Sequence, residues 1–323
     1  MNVHAPPAPR TLDPAKFQDP RTTAKGEARA RVDLLALETL WFNTGTLCNV
    51  TCRGCYIESS PRNDRLAYIT AAEVGRYLDE IATLRLPTRE IGFTGGEPFM
   101  NPEFMDMLEM ALAHGFRVLV LTNAMKPMAH ARTRLQAIGA EARQRLVFRV
   151  SLDHHTRAGH EDVRGPRSWQ PAMDGLQWLA AHGFTVHVAG RTAWPEGEAG
   201  LRQGYARLFA DFSLPIDADD PAQLVLFPEM DANLDVPEIT TACWSILDKS
   251  PEDVMCARSR MVVKRKGAAG PAVVACTLLP YDQGFELGAT LAEASGSVAL
   301  NHPHCARFCV LGGASCSRTA NPG

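Results

Sequence analysis

The chain has 323 residues, of which 46% are hydrophobic and 21% are charged, and its formal net charge at pH 7 is −3. This composition is ordinary for a globular protein, and the length fits one large α/β barrel with a small appendage. The charge argues against a general nucleic-acid surface, and no apolar run approaches the roughly 20 residues that cross a bilayer. Residues 1–10 lack the apolar core of a signal peptide, so we expect a cytoplasmic protein.

The elements in chain order predict a repeated strand–helix fold. Residues 1–35 are rich in Pro, Lys and Arg without periodicity, and we expect an N-terminal arm with little order. Beyond them, short apolar runs alternate with helical patterns. The predicted strands are residues 40–43, 90–94, 117–122, 146–152, 185–189 and 223–227. Repetition of strand and helix indicates a parallel sheet with right-handed crossovers.

Three helix starts can be read between these strands. Thr70 is expected to cap the first helix, with Glu73 three residues later completing a capping box. Asn101 precedes a proline and predicts the start of a second helix. Ser168 is expected to cap a third helix that runs to Gly183.

Residues able to do chemistry follow the predicted strands. Parallel α/β folds place their sites at the carboxyl ends of the strands, so these residues are expected to meet. They are, in chain order, Cys48, Gly95, Gly96, Glu97, Thr122, Asn123, Ser151, Asp153 and Arg191.

Three cysteines lie close together in the loop after the first predicted strand. Cys48, Cys52 and Cys55 have the spacing C-x3-C-x2-C, and the next 187 residues contain no cysteine. Disulfides are rare in the reducing cytosol, so such a group indicates a metal site. Three thiolates on an iron–sulfur cubane leave its fourth iron open, which is typical of a catalytic metal centre. Zinc is the alternative, but it would prefer a fourth His or Cys nearby, and none lies between residues 58 and 112.

A Gly-Gly-Glu-Pro stretch at residues 95–98 follows the second predicted strand, forty residues after Cys55. In this order and spacing, the two motifs resemble the radical S-adenosylmethionine (SAM) superfamily over residues 38–230. The resemblance implies a partial (β/α)6 TIM-like barrel and a [4Fe–4S] cluster whose open iron binds the amino and carboxylate groups of SAM. It also implies that one electron cleaves SAM to methionine and a 5′-deoxyadenosyl radical, which abstracts hydrogen from a substrate.

The resemblance also assigns residues to the SAM site. Glu97 is expected to accept a hydrogen bond from the SAM ammonium group, while Gly95 and Gly96 allow close backbone approach. Asn123 ends a strand that faces the same cavity. Arg164 lies in a segment similar to a recurrent one in the family, and a surface salt bridge would explain it equally.

Further SAM contacts are implied at the later strands. Ser151 and Asp153 resemble the fourth-strand position that meets the ribose or carboxylate of SAM. Arg191, after the fifth strand, is expected to pair with the SAM carboxylate, because a guanidinium group suits a carboxylate. The family usually carries an aromatic residue just before the third cysteine, whereas here that position is Gly54 and the aromatic residue is Tyr56. Tyr56 is therefore the candidate for a contact with adenine.

A second group of cysteines follows residue 240, where periodicity weakens and Gly and Cys become frequent. Short strands are predicted there at residues 261–264 and 272–275. The cysteines of this part are Cys243, Cys256, Cys276, Cys305, Cys309 and Cys316. Their density favours a metal site over buried free thiols.

This C-terminal part resembles the auxiliary-cluster modules, called SPASM or twitch, that follow the barrel in many radical SAM enzymes. The resemblance implies an auxiliary [4Fe–4S] cluster held by Cys256, Cys276 and two of Cys305, Cys309 and Cys316, with zinc as the alternative. No histidine is given a ligand role. The predicted domains are an N-terminal arm, a radical SAM barrel and an auxiliary-cluster module, at residues 1–35, 36–235 and 236–323.

Together these features predict a radical SAM oxidoreductase or maturase. A carbon radical next to an auxiliary cluster favours oxidation, cross-linking or epimerisation of a peptide or small-molecule substrate. Cys243 is a candidate hydrogen donor for epimerisation if no metal binds it. An electron donor such as flavodoxin or ferredoxin is expected as a partner, with neither nucleic acid nor membrane involved. The alternative function is a non-catalytic iron–sulfur or zinc-binding module on an inherited barrel.

Overall fold

The computed structural model describes residues 10–229 and 231–312 of the chain. The strands, in chain order, are β1 (Arg31–Val32), β2 (Thr39–Asn43), β3 (Glu90–Thr94), β4 (Arg117–Thr122), β5 (Leu146–Ser151), β6 (Thr185–Arg191), β7 (Leu224–Phe227), β8 (Ser259–Val263), β9 (Ala272–Val274), β10 (Glu286–Gly288) and β11 (Val298–Ala299). The α-helices are α1 (Ala71–Thr83), α2 (Phe104–Ala113), α3 (Lys126–His130), α4 (Arg132–Ala137), α5 (Ala140–Arg143), α6 (Arg157–Arg164), α7 (Trp169–Ala181), α8 (Gly197–Asp211) and α9 (Cys243–Ile246). A short π-helix covers Cys305–Leu311.

Parallel strands β2 to β7, neighbours in chain order, form the barrel wall. Thr39 lies opposite Glu90 and Phe42 opposite Phe93, so β2 and β3 run in continuous register. Both strands are buried at every residue, as expected for parallel strands covered on both faces. The prediction of an α/β fold with a partial six-stranded barrel is confirmed, and each predicted strand coincides with one of these strands to within two residues.

Helix α1 begins as the sequence predicts. Thr70 Oγ1 accepts a hydrogen bond from Glu73 N at 3.2 Å, and the Glu73 carboxylate accepts one from Thr70 N at 2.8 Å. Its apolar stripe, which includes Val74, Leu78 and Ile81, is buried against the sheet. The capping box and the stripe lie within one segment, so local sequence determines this element.

Two other predicted caps are wrong. Helix α2 begins three residues after Asn101, whose amide instead donates to the carbonyls of Thr44 and Ile69 at 3.0 and 2.8 Å. Ser168 directly precedes α7 without capping it, because its hydroxyl donates to the carbonyl of Gly165 at 2.7 Å. Helix α7 also ends two residues before the predicted end. Asn101 Oδ1 does accept a hydrogen bond from Glu103 N at 2.9 Å, in the turn before α2, whereas the Ser168 hydroxyl makes no bond to its own helix.

The predicted N-terminal arm is ordered over its described residues, contrary to expectation. Strand β1 pairs antiparallel with β11, so this lead-in joins the C-terminal part of the chain. Arg29 and Glu238 form an ion pair at 2.5 Å, with side chains 0% and 6% exposed. The Glu238 carboxylate also accepts hydrogen bonds from Phe17 N and Ala24 N at 2.8 and 2.7 Å. Arg29, in the segment predicted to have little order, is thus paired with a residue far along the chain.

The C-terminal part continues the barrel sheet. Strand β8 pairs parallel with β2, and β9 and β10 follow antiparallel, which gives a nine-stranded sheet. The two strands predicted in this part coincide with β8 and β9. The boundary at residue 236 stays a prediction, since the hydrogen bonding of the sheet runs across it. Within the described ranges, no helix has the length and apolar character required to cross a membrane.

We expect Glu238→Ala to lower the free energy of unfolding by about 3 kcal/mol, because it leaves the buried Arg29 charge without its partner. Urea unfolding of anaerobically purified protein, followed by tryptophan fluorescence, measures this change. Glu198→Ala is the matched control, since the Glu198 side chain is 60% exposed in its pair with Arg202 and should contribute less than about 1 kcal/mol. Equal losses in the two variants would contradict a stabilising role for the buried pair.

Candidate functional site

A cavity of about 180 Å³ lies at the carboxyl ends of the barrel strands. It collects nearly all of the residues that the sequence assigned to the first cluster and to SAM. These residues are Cys48, Cys52, Cys55, Tyr56, Gly95, Gly96, Asn123, Ser151, Asp153 and Arg191. Of the predicted set for this site, only Glu97 does not line the cavity.

The cysteine loop is held in a tight curl by its own backbone. Cys48 N donates to the Ser60 carbonyl at 3.0 Å, which joins the two ends of the loop. Cys55 N donates to the Cys52 carbonyl at 3.3 Å and closes the turn between these thiols. Gly54 in this turn has φ of +68°, a conformation that glycine adopts at little cost. The three cysteines therefore border one cavity.

Burial favours the protonated form of the Cys48 and Cys52 thiols. It raises the pKa of the Cys48 thiol to about 12, and it also raises the pKa of Cys52, where the charge of Arg164 opposes the rise. A thiol in this setting becomes a thiolate when a metal cation replaces its proton. Asn123 Nδ2 lies 3.9 Å from Cys48 Sγ as a weak donor to the sulfur. The loop thus suits a metal centre better than a free nucleophilic cysteine.

The distances between the sulfur atoms bear on the choice between an iron–sulfur cluster and a zinc ion, the two alternatives considered from the sequence. Zinc holds thiolates tetrahedrally at about 2.3 Å, which brings their sulfur atoms to about 3.8 Å from one another. Among the described cysteines, no three sulfur atoms lie within 4.8 Å of each other. In the described residues, no three thiols of either group are thus as close together as the ligands of one zinc ion.

Gly95 and Gly96 bring the end of β3 against the start of the cysteine loop. A Cβ on Gly96 would lie 2.2 Å from the Leu47 carbonyl oxygen, and one on Gly95 would lie 2.5 Å from the Gly45 carbonyl oxygen. Gly96 N donates to that same Gly45 oxygen at 2.8 Å. The sequence predicts that these glycines let SAM approach the backbone. The structure shows that they also let two loops of the protein contact each other.

The carboxylate of Glu97 lies in the protein wall behind the cavity. It accepts hydrogen bonds from Thr122 Oγ1 and Asn123 N, each at 2.8 Å, and from Phe99 N at 3.2 Å. The residue is only 2% exposed. Burial raises the pKa of Glu97 to about 7, although these donors oppose the rise. The contact of Glu97 with the SAM ammonium group stays a prediction.

Asp153 holds two arginines at the cavity. Its carboxylate forms an ion pair with Arg191 Nε at 3.1 Å and a shorter one with Arg164 Nε. Burial favours the neutral acid, but the two guanidinium groups outweigh it and lower the pKa of Asp153. The Arg164 side chain is only 10% exposed and lines the cavity, so the surface salt bridge considered for it is wrong.

Arg191 is bonded to the cysteine loop. Its Nη1 donates to the Arg53 carbonyl and its Nη2 to the Gly54 carbonyl, each at 3.2 Å. These bonds occupy much of the guanidinium that was expected at the SAM carboxylate, and that contact stays a prediction. Arg164, whose charge acts on Cys52, is a second cation at the cavity. Its Val-Arg-Gly segment was the sequence signal for this role.

A second group of thiols meets in the C-terminal part. Cys256 and Cys305 are buried and Cys276 is half-buried. Burial strongly raises the pKa of Cys305, and Cys276 and Cys256 raise it further. Cys256 and Cys305 belong to one buried cluster, against which Cys276 packs, so the three thiols are neighbours. Cys309 follows Cys305 by about one turn of the π-helix. Cys316, the remaining predicted ligand, lies outside the described residues.

A buried arginine lies beside this second group. Arg260 is 0% exposed, and its guanidinium donates to the carbonyls of Ala294 and Gly296 at 2.9 and 3.0 Å. Burial lowers the pKa of Arg260, and the nearby Cys256 and Cys276 oppose this lowering. A buried cation without an anionic partner is unfavourable. The thiolates of a bound cluster would supply the missing negative charge.

The C-terminal part also closes one side of the cavity, which the sequence did not predict. Leu278 and Phe308 both line it. Leu278 follows Cys276 by two residues, and Phe308 directly precedes Cys309. Single apolar residues near cysteines carry no signal of their own, so only the fold shows that the C-terminal part contributes to the wall of this cavity.

Comparison with known proteins identifies the domain that carries this cavity. The sequence profile described as Radical SAM superfamily matches residues 42–199. The solved structure of SuiB from Streptococcus suis bound to S-adenosylmethionine has a similar fold, with a TM-score of 0.53 and 12% identity over 79% of this chain and 64% of that chain. SuiB has also been solved bound to the precursor peptide SuiA.

Two curated proteins share sequence with part of the chain. Mycofactocin maturase MftC from Mycobacterium tuberculosis is 30% identical over 137 residues, which are 42% of this chain and 33% of that protein. The antilisterial bacteriocin subtilosin biosynthesis protein AlbA from Bacillus subtilis is 29% identical over 143 residues, which are 44% of this chain and 30% of that protein. The chain thus spans about a third of the length of these relatives.

We expect the Glu97 carboxyl to contribute a fall in the free energy of unfolding as pH rises from 6 to 7. Buried histidines of lowered pKa contribute slopes of the opposite sign, so the test is the difference between variants: Glu97→Gln should show a more positive slope of stability with pH than the unmodified protein. The folded state holds the Glu97 proton up to about pH 7, whereas an unfolded chain releases it near the ordinary value of 4.5. One such group changes the free energy of unfolding by at most about 1.4 kcal/mol per pH unit. Urea-unfolding midpoints measured anaerobically across this range test the expectation.

Glu293→Gln is the control for this measurement. Hydrogen bonds from Ala289 N and Thr290 N lower the pKa of Glu293, so its titration lies below the range studied. This variant should keep the slope of the unmodified protein. A Glu97→Gln variant with the same slope would contradict a buried, partly protonated Glu97.

Proposed function

Because residues 42–199 form a radical SAM domain, we propose that this chain is an enzyme that cleaves SAM reductively and modifies a peptide. The observation that carries this proposal is the shared cavity, where the three thiols of the cysteine loop face the apolar wall of the C-terminal part. A catalyst needs such a space beside an open metal position. The alternative, a non-catalytic iron–sulfur or zinc-binding module, needs no such space.

The first metal centre would be held by Cys48, Cys52 and Cys55. A [4Fe–4S] cluster held there would supply the one-electron reduction that splits SAM into methionine and a 5′-deoxyadenosyl radical. The contribution of the protein is to orient SAM and to exclude water. Arg164 offers a buried charge for the SAM carboxylate, and Ser151 offers a hydroxyl at the end of β5.

Of the remaining residues, one is assigned to contact SAM and the others hold the cysteine loop in place. Tyr56 lines the cavity next to the third cysteine and is assigned to the adenine ring. Asn123 Nδ2 donates to Asn49 Oδ1 at 2.8 Å and so steadies the cysteine loop from β4. Asp153 and Arg191 support the same loop from β5 and β6. SAM would thus lie between a fixed loop and the strand ends.

We assign the auxiliary [4Fe–4S] cluster to Cys256, Cys276, Cys305 and Cys309. The first three are neighbours, and Cys309 lies on the next turn of the π-helix. Phe308 lines the cavity and directly precedes Cys309, so a cluster held here would supply an acceptor for an electron from a substrate radical in the cavity. This geometry favours oxidation or cross-linking over epimerisation.

Cys243 is not positioned as a hydrogen donor to the cavity. Its sulfur accepts a hydrogen bond from Thr240 N at 3.3 Å, and it does not line the cavity. Epimerisation would require a donor thiol next to the substrate radical. The position of Cys243 therefore supports the oxidative outcome.

A peptide is the substrate class that the relatives favour. MftC is named as a maturase, AlbA as a bacteriocin biosynthesis protein, and SuiB was solved with a precursor peptide. A small molecule is the second candidate class. An electron donor such as flavodoxin or ferredoxin would reduce the first cluster, and the cytoplasm is the compartment that we propose for this reaction.

We expect Cys52→Ala to abolish formation of 5′-deoxyadenosine, because the loop then offers two thiolates instead of three to the cluster. Anaerobic reconstitution with iron, sulfide and SAM, followed by reduction with dithionite and chromatography, measures the product. Cys243→Ala is the matched control and should retain cleavage. Cleavage of SAM at the unmodified rate by Cys52→Ala would refute the assignment of the first cluster.

We expect Cys276→Ala to retain SAM cleavage and to lose the modified peptide. Its iron content should fall from about eight to about four atoms per chain, because one of two [4Fe–4S] clusters is lost. Iron analysis and electron paramagnetic resonance of the reduced protein measure the change. Unchanged iron content would show that Cys276 binds no cluster, and loss of SAM cleavage would show that the two sites are not separable.

A further inference from the structure

Three metal-ligating side chains meet outside the cavity. His154 and His155 lie in the loop between β5 and α6, and Glu196 directly precedes α8. One ligand atom of each lies within 4.8 Å of the other two. In residues 10–229 and 231–312, no other three His, Cys, Asp or Glu side chains meet so closely. We propose that this group, which we call the histidine site, binds a divalent transition-metal ion of the zinc type.

His154 is held as metal-binding histidines usually are, with both ring nitrogens engaged. Its Nε2 lies 2.8 Å from Glu196 Oε1, and its Nδ1 lies 2.8 Å from Thr156 Oγ1. When an ion takes Nε2, the ring proton moves to Nδ1, where Thr156 Oγ1 accepts it. This exchange gives up the hydrogen bond from Thr156 N to Nδ1 at 3.1 Å. The Glu196 carboxylate then binds the ion in place of the proton.

The hydrogen bond between His154 and Glu196 does not explain the environment of His155. Its Nδ1 is buried and has no hydrogen-bond partner. The ring lies against α8 at Gly204, where a Cβ would come within 2.4 Å of it. Glycine within a helix is unfavourable, so its presence here gives room to the imidazole. A bound ion would satisfy the ring and account for the space made for it.

The donor set and its surroundings select the kind of ion. Two imidazoles and one carboxylate suit zinc or ferrous iron, whereas magnesium and calcium prefer oxygen ligands. The Trp194 ring lies 4.4 Å from the His154 ring and shields it. The His154 side chain is 7% exposed and that of Glu196 is 33% exposed, which leaves a route from solvent. Three protein ligands also leave a position for water.

The ion would connect two segments that border the cavity. The loop that carries His154 also carries Asp153, which holds Arg164 and Arg191. A metal bond from this loop to the start of α8 would fix the loop at its far end. The histidine site shares no ligand with either cysteine group, so the proposal stands independently of the proposed function.

The test uses the reconstituted protein, in which iron occupies the cysteine groups. Anaerobic equilibrium dialysis against Zn²⁺ measures zinc per chain, and X-ray absorption at the zinc edge identifies the ligand atoms. We expect one zinc per chain with only nitrogen and oxygen ligands. Glu196→Gln and His155→Gln should each weaken binding at least tenfold, and His114→Gln, an exposed histidine at the end of α2, should not change it.

Several results would overturn the proposal. Sulfur among the zinc ligands would place the ion on a cysteine. Binding unchanged in both Glu196→Gln and His155→Gln, or no bound zinc in the unmodified chain, would show that the cluster only forms hydrogen bonds. Glu196→Gln keeps the shape of a partly exposed side chain, so equal thermal unfolding of this variant in the absence of zinc confirms that weaker binding does not reflect misfolding.

Discussion

The contact between the end of β3 and the start of the cysteine loop is the constraint on which the site depends. Gly95 and Gly96 meet the carbonyl oxygens of Gly45 and Leu47 with no room for any side chain. This contact seats the loop over the carboxyl ends of the strands. Once the loop is seated there, groups from β4, β5 and β6 reach it and the cavity takes its shape. A side chain at either glycine would lift the loop and open the cavity wall.

Buried arginine accompanies both cysteine groups, but its charge is balanced differently in each. Arg164 beside Cys52 already has the carboxylate of Asp153 as its partner. Among the described residues, Arg260 beside Cys256 donates hydrogen bonds only to carbonyl oxygens. The nearby cysteines oppose the lowering of its pKa by burial. In the part of the chain that the structure describes, only the arginine of the first group thus forms an ion pair with a carboxylate.

Sequence reasoning succeeded where the signal is local and failed where a side chain bonds to a distant segment. Apolar runs located β3 and β4, and the capping box at Thr70 located α1, because each signal lies within its own element. Asn101 has the pattern of a helix cap, yet it bonds to two loops. The residues of the Arg29–Glu238 pair are 209 positions apart, which no window of sequence connects. The rule that sites lie at the carboxyl ends of parallel strands predicted which residues meet at the cavity. It could not predict that Arg191 donates to carbonyls of the cysteine loop.

The parallel pairing of β2 with β8 determines how far apart the two cysteine groups lie. Thr39 lies opposite Ser259, so Cys256 is near the amino end of this pair, while Cys48 follows its carboxyl end. A strand of five residues extends about 16 Å and resists stretching. The two cysteine groups are therefore tied to opposite ends of one hydrogen-bonded strand pair, so their separation is set by the length of a strand and not by a flexible loop.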